Sequence, residues 1–285
     1  MIDLHVHTTA SDGRLAPAQL VARAATAGVT VIAVTDHDTV AGCDEVADAC
    51  AGAAMAFVPG IEITAALFDV DVHVLGYFFD HHSPALLTFL GEQRARRVDR
   101  VREMIDRLSR FDIPLDADAI LKPAVDDPSK SAGRPWIARA LVAGKHVSTT
   151  AEAFDRWLGR GQPAFVPRSA AAPAEVFRRI HEAGGLASLA HPGLLARDEW
   201  IGGFAAAGLD AIEAHHTRHD ADATRHYRAT ADRFALGVSG GSDFHGDESH
   251  GAPYPGYVSL PPADYDRLVT KGTGLAGPSG ETCPR

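Results

Sequence analysis

The chain has 285 residues and a formal net charge of −10, enough for one large α/β barrel with a modest insertion or for two ordinary domains. The acidic balance excludes a surface that wraps the nucleic acid backbone, which needs clustered Lys and Arg, while leaving room for a local basic pocket for phosphate. No apolar run approaches the ~20 residues of a membrane span, the chain starts directly on a strand-like segment, and Cys43, Cys50 and Cys283 form neither a disulfide framework nor a metal spacing, so a soluble protein of the reducing cytoplasm is expected.

Short apolar, β-branched segments alternate with longer Ala-, Arg- and Glu-rich ones, the pattern of a parallel sheet joined by crossover helices. Ile2 to His7 reads as a strand, Pro17 to Ala27 as a helix opened by proline, Thr30 to Thr35 as a strand and Gly42 to Ala51 as a helix. Met55 to Pro59 and Val72 to Tyr77 follow as strands. Leu86 to Arg110 reads as a long, arginine-rich amphipathic helix, with shorter helical pieces to Gly161 and loop signals between 126 and 135. Alternation resumes with helix Pro173 to Ala183, strand Leu186 to Ala190, helix Glu199 to Ala207, strand Ala211 to Ala214, helix Asp220 to Arg233 and strand Ala235 to Ser239. The expectation is an α/β barrel over 1–83 and 168–271, a helical insertion over 84–167 and a disordered tail over 272–285.

Histidine collects at strand ends. In Asp3-Leu4-His5-Val6-His7, period-two alternation sends Ile2, Leu4 and Val6 to one face and both histidines to the other, a pairing suited to a divalent transition metal. The second strand ends in Asp36-His37-Asp38, the third runs into Glu62, the fourth carries His73, and later ones run into His191, Glu213, His215 and His216, and Asp243 and His245. Catalytic groups of parallel barrels sit at these C-terminal ends. Asp36 and Asp38, flanking His37, read as orienters of imidazole tautomers or as turn and helix-capping residues, and Gly60, Gly193, Gly240 and Gly241 as positions needing unusual dihedrals. His81, His82, His146, His181, His226 and His250 fall outside any motif and read as surface or structural residues.

Taken in order, DLHVHTTASDG, TDHDT, GIEIT, AHPG and GGSDFHG resemble the motifs of the PHP (polymerase and histidinol phosphatase) superfamily, over residues 1–80 and 185–250, and SAGRPWIARALV resembles its free-standing phosphoesterase branch. The resemblance implies a distorted seven-stranded barrel and hydrolysis of nucleotide or oligonucleotide phosphoesters. It also implies that His5, His7, Glu62 and Asp243 hold one divalent ion, that Glu62 bridges to a second held by His73 and His191, and that Asp12, His37 and His245 form a third site. Two or three ions (manganese, zinc or iron) are therefore expected, with a metal-activated water as nucleophile and no Ser or Cys nucleophile motif needed.

Arg134 resembles the family's phosphate-binding arginine, and its planar fork suits the task of phosphate stabiliser. Trp136 stands where the family often has histidine, and offers either a base-stacking surface or packing within the insertion. Lys130, His216 and His219 are candidate substrate contacts, with Arg168 and Arg218 beside them. The leading reading is a phosphatase of nucleotide-type monoesters such as 3′,5′-bisphosphates, or an enzyme that trims short oligoribonucleotides from the 5′ end. The alternatives are a histidinol-phosphate phosphatase and a non-catalytic metal-binding module.

Overall fold

The structure, a computed structural model, describes residues 1–127, 129–247 and 251–275, so His250 and Cys283 lie outside it. In chain order β1 (Ile2–Val6), α1 (Pro17–Ala27), β2 (Val31–Val34), α2 (Cys43–Gly52), β3 (Ala56–Leu67) and β4 (Val70–Tyr77) come first. Then α3 (Pro84–Ser109), α4 (Ala117–Asp126), α5 (Arg134–Ala143) and α6 (Thr150–Ala153) follow without a strand among them. The remainder is α7 (Pro173–Glu182), β5 (Leu186–Leu189), α8 (Pro192–Leu195), α9 (Ile201–Ala206), β6 (Ala211–His216), α10 (Ala221–Arg233), β7 (Gly237–Gly241) and α11 (Pro262–Leu275). The tail expected from Gly272 is corrected at its start, because α11 runs to Leu275; the residues beyond it lie outside those described.

Local chemistry accounts for elements such as α1. Pro17 opens it, Gln19 accepts from the Ala16 N–H at 3.1 Å, and Gly28, at φ 85°, ends it in the left-handed conformation that glycine adopts without strain. Leu20, Val21 and Ala24 then face Val6, Ile32 and Val34 in one buried cluster.

The seven strands form one sheet in the order β1 to β7. Pairing is parallel except where β4 meets β3 and β5, so β4 alone runs backwards. The sheet nearly closes, with the His7 N–H donating to the Phe244 carbonyl at 2.9 Å and the Asp243 N–H to the His5 carbonyl at 2.8 Å. This corrects the all-parallel expectation. β3 continues well past Pro59 to Leu67, and only Phe68 and Asp69 link it to β4, at φ 49° and 60°. A parallel return needs a crossover of a dozen residues or more, whereas two left-handed residues make a hairpin.

Between β4 and β5 the helices bury their own cluster, in which Met104 and Leu108 of α3 meet Leu121 of α4 and Ile137 and Leu141 of α5. The first turns of α3 are placed elsewhere. Leu86, Phe89 and Leu90 pack with Ile63, Val74 and Phe177 on the flank of the barrel.

Candidate metal centre

The C-terminal ends of β1, β2, β3, β5, β6 and β7 open on one mouth, and the reversal of β4 brings its N-terminal half there too. His73 stands opposite Thr64 in the β3–β4 register, which sets it beside Glu62 even though it lies mid-strand. His37 reaches the same point because the β2 line continues along β3: the Asp38 N–H donates to the Glu62 carbonyl at 2.9 Å.

Glu62, 1% exposed, is the hub. Its Oε2 lies 3.3 Å from His5 Nε2, from His7 Nε2 and from His37 Nδ1. Its Oε1 lies 2.6 Å from His73 Nδ1 and 3.1 Å from His191 Nε2. Asp243 Oδ1 closes the first group at 3.3 Å from both His5 and His7. Asp12 gathers a further group, 3.4 Å from His245 Nε2, 3.7 Å from His37 Nε2 and 3.8 Å from His7 Nδ1. Three sets of donors, each within 4.8 Å of one another, thus form at the mouth: His5, His7, Asp243; His37, Glu62, His73; and His7, Asp12, His37, His245.

These donors fit divalent cations. Both ring nitrogens of His7 and Nδ1 of His37 are buried without hydrogen-bonded partners, which is costly unless something binds their lone pairs. Among the protein groups themselves, the carboxylates draw protons onto the imidazoles. Burial works against a charged His5, yet Glu213, Asp243 and Glu62 hold it well above its ordinary range. Burial likewise opposes His7, which Asp243 and Glu62 nevertheless raise to about 10. For Glu62 and Asp243 burial favours the neutral form, and the surrounding imidazoles outweigh it, keeping both well below the carboxylate range.

Glu213 fixes the imidazole orientation. Fully buried, it accepts from His5 Nδ1 at 2.8 Å and from the His191 N–H at 2.7 Å, which leaves His5 Nε2 facing Glu62 and Asp243. A register irregularity in β6 after Glu213 turns His216 inward as well, 3.4 Å from Asp243 Oδ2, and sends His215 out to Arg228 and Asp264. Asp36 and Asp38 hold loops and neighbouring elements, and among the described residues neither carboxylate hydrogen-bonds an imidazole or a helix N-terminus. Asp36 takes the Thr8 N–H at 2.8 Å and the Ser11 hydroxyl at 2.6 Å, tying down the β1–α1 loop. Asp38 takes the Thr64 N–H at 2.9 Å and pairs with Arg97 of α3.

The glycine expectation is also corrected. The left-handed residues at the mouth are Asp38, His191 and Asp243, at φ 52°, 27° and 55°. Strain of this kind, of order 1–3 kcal/mol at each residue, is held by the packing around it. Gly241 answers a different need, since a Cβ there would collide with the backbone nitrogen of His5.

Arg134 lies outside the metal-ligand groups, 3.5 Å from Asp71 and stacked over Phe154, with Arg168 3.4 Å from the same carboxylate. Burial raises Asp71, but Arg168, Arg134 and Arg100 together bring it down to about 2. Lys130 lines a cavity of about 360 Å³ with Trp136 and Arg139. Trp136 is buried, and its Nε1–H donates to the Ser11 carbonyl at 3.1 Å, so it joins α5 to the barrel. Both ring nitrogens of His219 are engaged by backbone, at the Ala214 carbonyl and the Gly193 N–H. A second cavity, about 340 Å³, opens directly onto Asp12 and His245 and is walled by Arg139, Phe154 and Arg218.

A barrel whose mouth converges buried imidazoles and carboxylates in overlapping ligand sets defines a metal-dependent hydrolase. The PHP domain family matches residues 3–121. A 5′-3′ exoribonuclease of Haemophilus influenzae is 37% identical over 249 residues, 85% of this chain and 89% of that protein. A 3′,5′-nucleoside bisphosphate phosphatase of Chromobacterium violaceum is 34% identical over 266 residues, 92% of this chain and 93% of that one. The crystal structure of an inferred metal-dependent phosphoesterase from Bifidobacterium adolescentis superimposes with a TM-score of 0.85 at 32% identity, covering 95% of this chain and 96% of its own. The chain belongs to the PHP family of metal-dependent phosphoesterases and hydrolyses phosphoric esters. Among the described residues no helix is long and apolar enough to cross a membrane.

Proposed function

We propose that the substrate is a nucleotide-type phosphomonoester such as a 3′,5′-nucleoside bisphosphate, or the 5′ end of a short oligoribonucleotide, hydrolysed in the cytoplasm. The observation that carries this reading is the division of Glu62, whose two oxygens face two different histidine groups. In it His5, His7, Glu62 and Asp243 hold one ion, Glu62 with His73 and His191 a second, and Asp12, His37 and His245 a third. Manganese, zinc and iron all suit such donors. Divalent ions in this arrangement supply an activated water and neutralise the phosphate oxygens.

The chain's own residues do the rest. Glu213 keeps one His5 tautomer in place, and His216 steadies Asp243. Residues 84–167 act as a cap whose α5 and α6, with Arg139 and Phe154, wall the cleft and restrict it to small or single-stranded substrates. The activities named for the Haemophilus and Chromobacterium relatives support this substrate class. Free, buried Cys43 and Cys50 suit a reducing compartment. Phosphate release from adenosine 3′,5′-bisphosphate, mononucleotides, histidinol phosphate and short RNAs, each with manganese, tests the reading. It expects the bisphosphate or RNA to rank first, and histidinol phosphate ranking first overturns it.

A further inference from the structure

Away from the mouth, three further donors converge on the outer surface, where α2 passes the turn that leads from β4 into α3. His81 Nε2 lies 2.9 Å and His82 Nε2 3.2 Å from the same oxygen, Oδ1 of Asp44 in the first turn of α2. The two ring centroids are 4.2 Å apart, and the three ligand atoms lie within 4.8 Å of one another. None of these residues belongs to a donor set at the mouth. In the sequence the two histidines fall outside any motif, because the carboxylate that unites them stands 37 residues before His81.

The turn that carries them is fixed by its own hydrogen bonds. The Asp80 N–H donates to the Ala183 carbonyl at 2.8 Å, and the Ser83 N–H donates to the Asp80 carbonyl at 3.1 Å just before Pro84 opens α3. The Asp80 carboxylate accepts the His82 N–H at 2.9 Å. Neighbouring side chains point to opposite sides of an extended chain, so a turn of this kind is what brings both rings onto one oxygen. A tetrahedral zinc ion with bonds of about 2.0–2.1 Å sets its donors about 3.3–3.4 Å apart. The separations at Asp44 need to open by only a few tenths of an ångström to admit one.

We propose that Asp44, His81 and His82 form a peripheral site for a zinc-type dication, separate from the ions of the mouth, that pins α2 to the entry of α3. Two imidazole nitrogens and one carboxylate oxygen favour zinc, nickel or copper over magnesium and calcium, which take oxygen shells. With Asp44 70% and His82 65% exposed, the remaining coordination position is left to water. The ion acts as a clamp and not as a reacting centre. α2 follows the strand that ends near His37, and α3 brings Arg97 to Asp38, so the site fastens from outside two elements that also meet the mouth.

The test stirs full-length protein in buffered free zinc and counts zinc per chain by mass spectrometry. Wild type should hold one zinc more than the His81→Ala/His82→Ala double variant and than Asp44→Asn. His226→Ala is the control, because it removes an exposed histidine that pairs with Asp198 at 2.6 Å without a second imidazole beside it, and its zinc content should match wild type. Filling the extra site should raise the melting temperature of wild type above that of the double variant, while manganese-supported phosphoesterase activity stays equal in the two. Equal zinc content in wild type and the double variant overturns the site, and the same loss in His226→Ala shows adventitious surface binding only. A zinc difference without a melting difference overturns the pinning role. Should the double variant fold poorly, His82→Gln decides at the more exposed ring: zinc binding weakened more than about 10-fold at the extra site supports the proposal, and unchanged binding refutes it.

Discussion

The proposed metal assignment turns on Glu62, which two sets of imidazoles approach from opposite oxygens. Converting it to Gln replaces one acceptor oxygen by an amide that cannot ligate, so two ion sites should suffer together. Glu62→Gln should lower kcat/KM by about 100-fold or more and cost more than any single change at His37 or His245, extending the 10–100-fold typical of losing a supporting partner of a metal site. Steady-state kinetics with metal content by mass spectrometry checks this, and near-normal turnover removes the bridging role. The alternation in Asp3 to His7 and the carboxylates and histidines after each strand made these residues legible in the sequence. The division of labour between His215 and His216 was not, because it depends on an irregularity in β6 that composition does not announce. Asp38 was legible as a neighbour of the site but not as the partner of Arg97, which comes from a distant helix.

At the level of elements, alternating apolar runs located every strand, and proline or glycine punctuation located the ends of α1 and α7. Strand direction was the part not written locally. Pro59 and Gly60 made β3 read as finished at Pro59, when pairing with β4 carries it eight residues further, and Phe68 and Asp69 lack the Gly or Asn that usually marks a tight hairpin. α11 also escaped, being short of strong periodicity. Closure of the barrel tests a single atom: β7 approaches β1 so closely that a methyl at Gly241 meets the His5 backbone. Gly241→Ala should destabilise the protein by about 1–3 kcal/mol through overpacking and displace His5. A thermal melt and manganese titration check it; unchanged melting and metal affinity mean the strands yield without cost.

For the whole molecule, ions and protons compete for one set of donors. His7 has an ordinary value of 6.5 and is raised to about 10 in the folded, cation-free protein. Its proton-linked contribution to stability is therefore fully present below pH 6.5 and is lost as pH rises through about 10. Ion binding needs the deprotonated ring, so it strengthens over the same interval. The melting temperature of manganese-loaded protein should accordingly pull away from that of chelated protein between pH 6 and pH 9, and phosphoesterase activity should return to chelated protein only with the ion. A constant gap across that range indicates that His7 is not a ligand.

The backward course of β4 has one more result. It delivers the chain to the far end of the barrel, where the Asp80 N–H meets the Ala183 carbonyl, so α3 must climb the flank before it can present Arg97 to Asp38 at the mouth. Its 26 residues give about 39 Å of rise. The arginines thus stand midway along a clamped shaft whose angular phase is set from below, by Leu86, Phe89 and Leu90. Deleting one residue after Leu90 turns everything beyond it by about 100° and lowers it by about 1.5 Å. Arg97 and Arg100 should then swing off the Thr64 hydroxyl and the Val166 carbonyl, loosening the cap over the mouth and lowering turnover while manganese content stays at the wild-type level. Unchanged turnover in that deletion would mean the shaft rewinds, and that the barrel mouth, not the helix base, sets the timing of its turns.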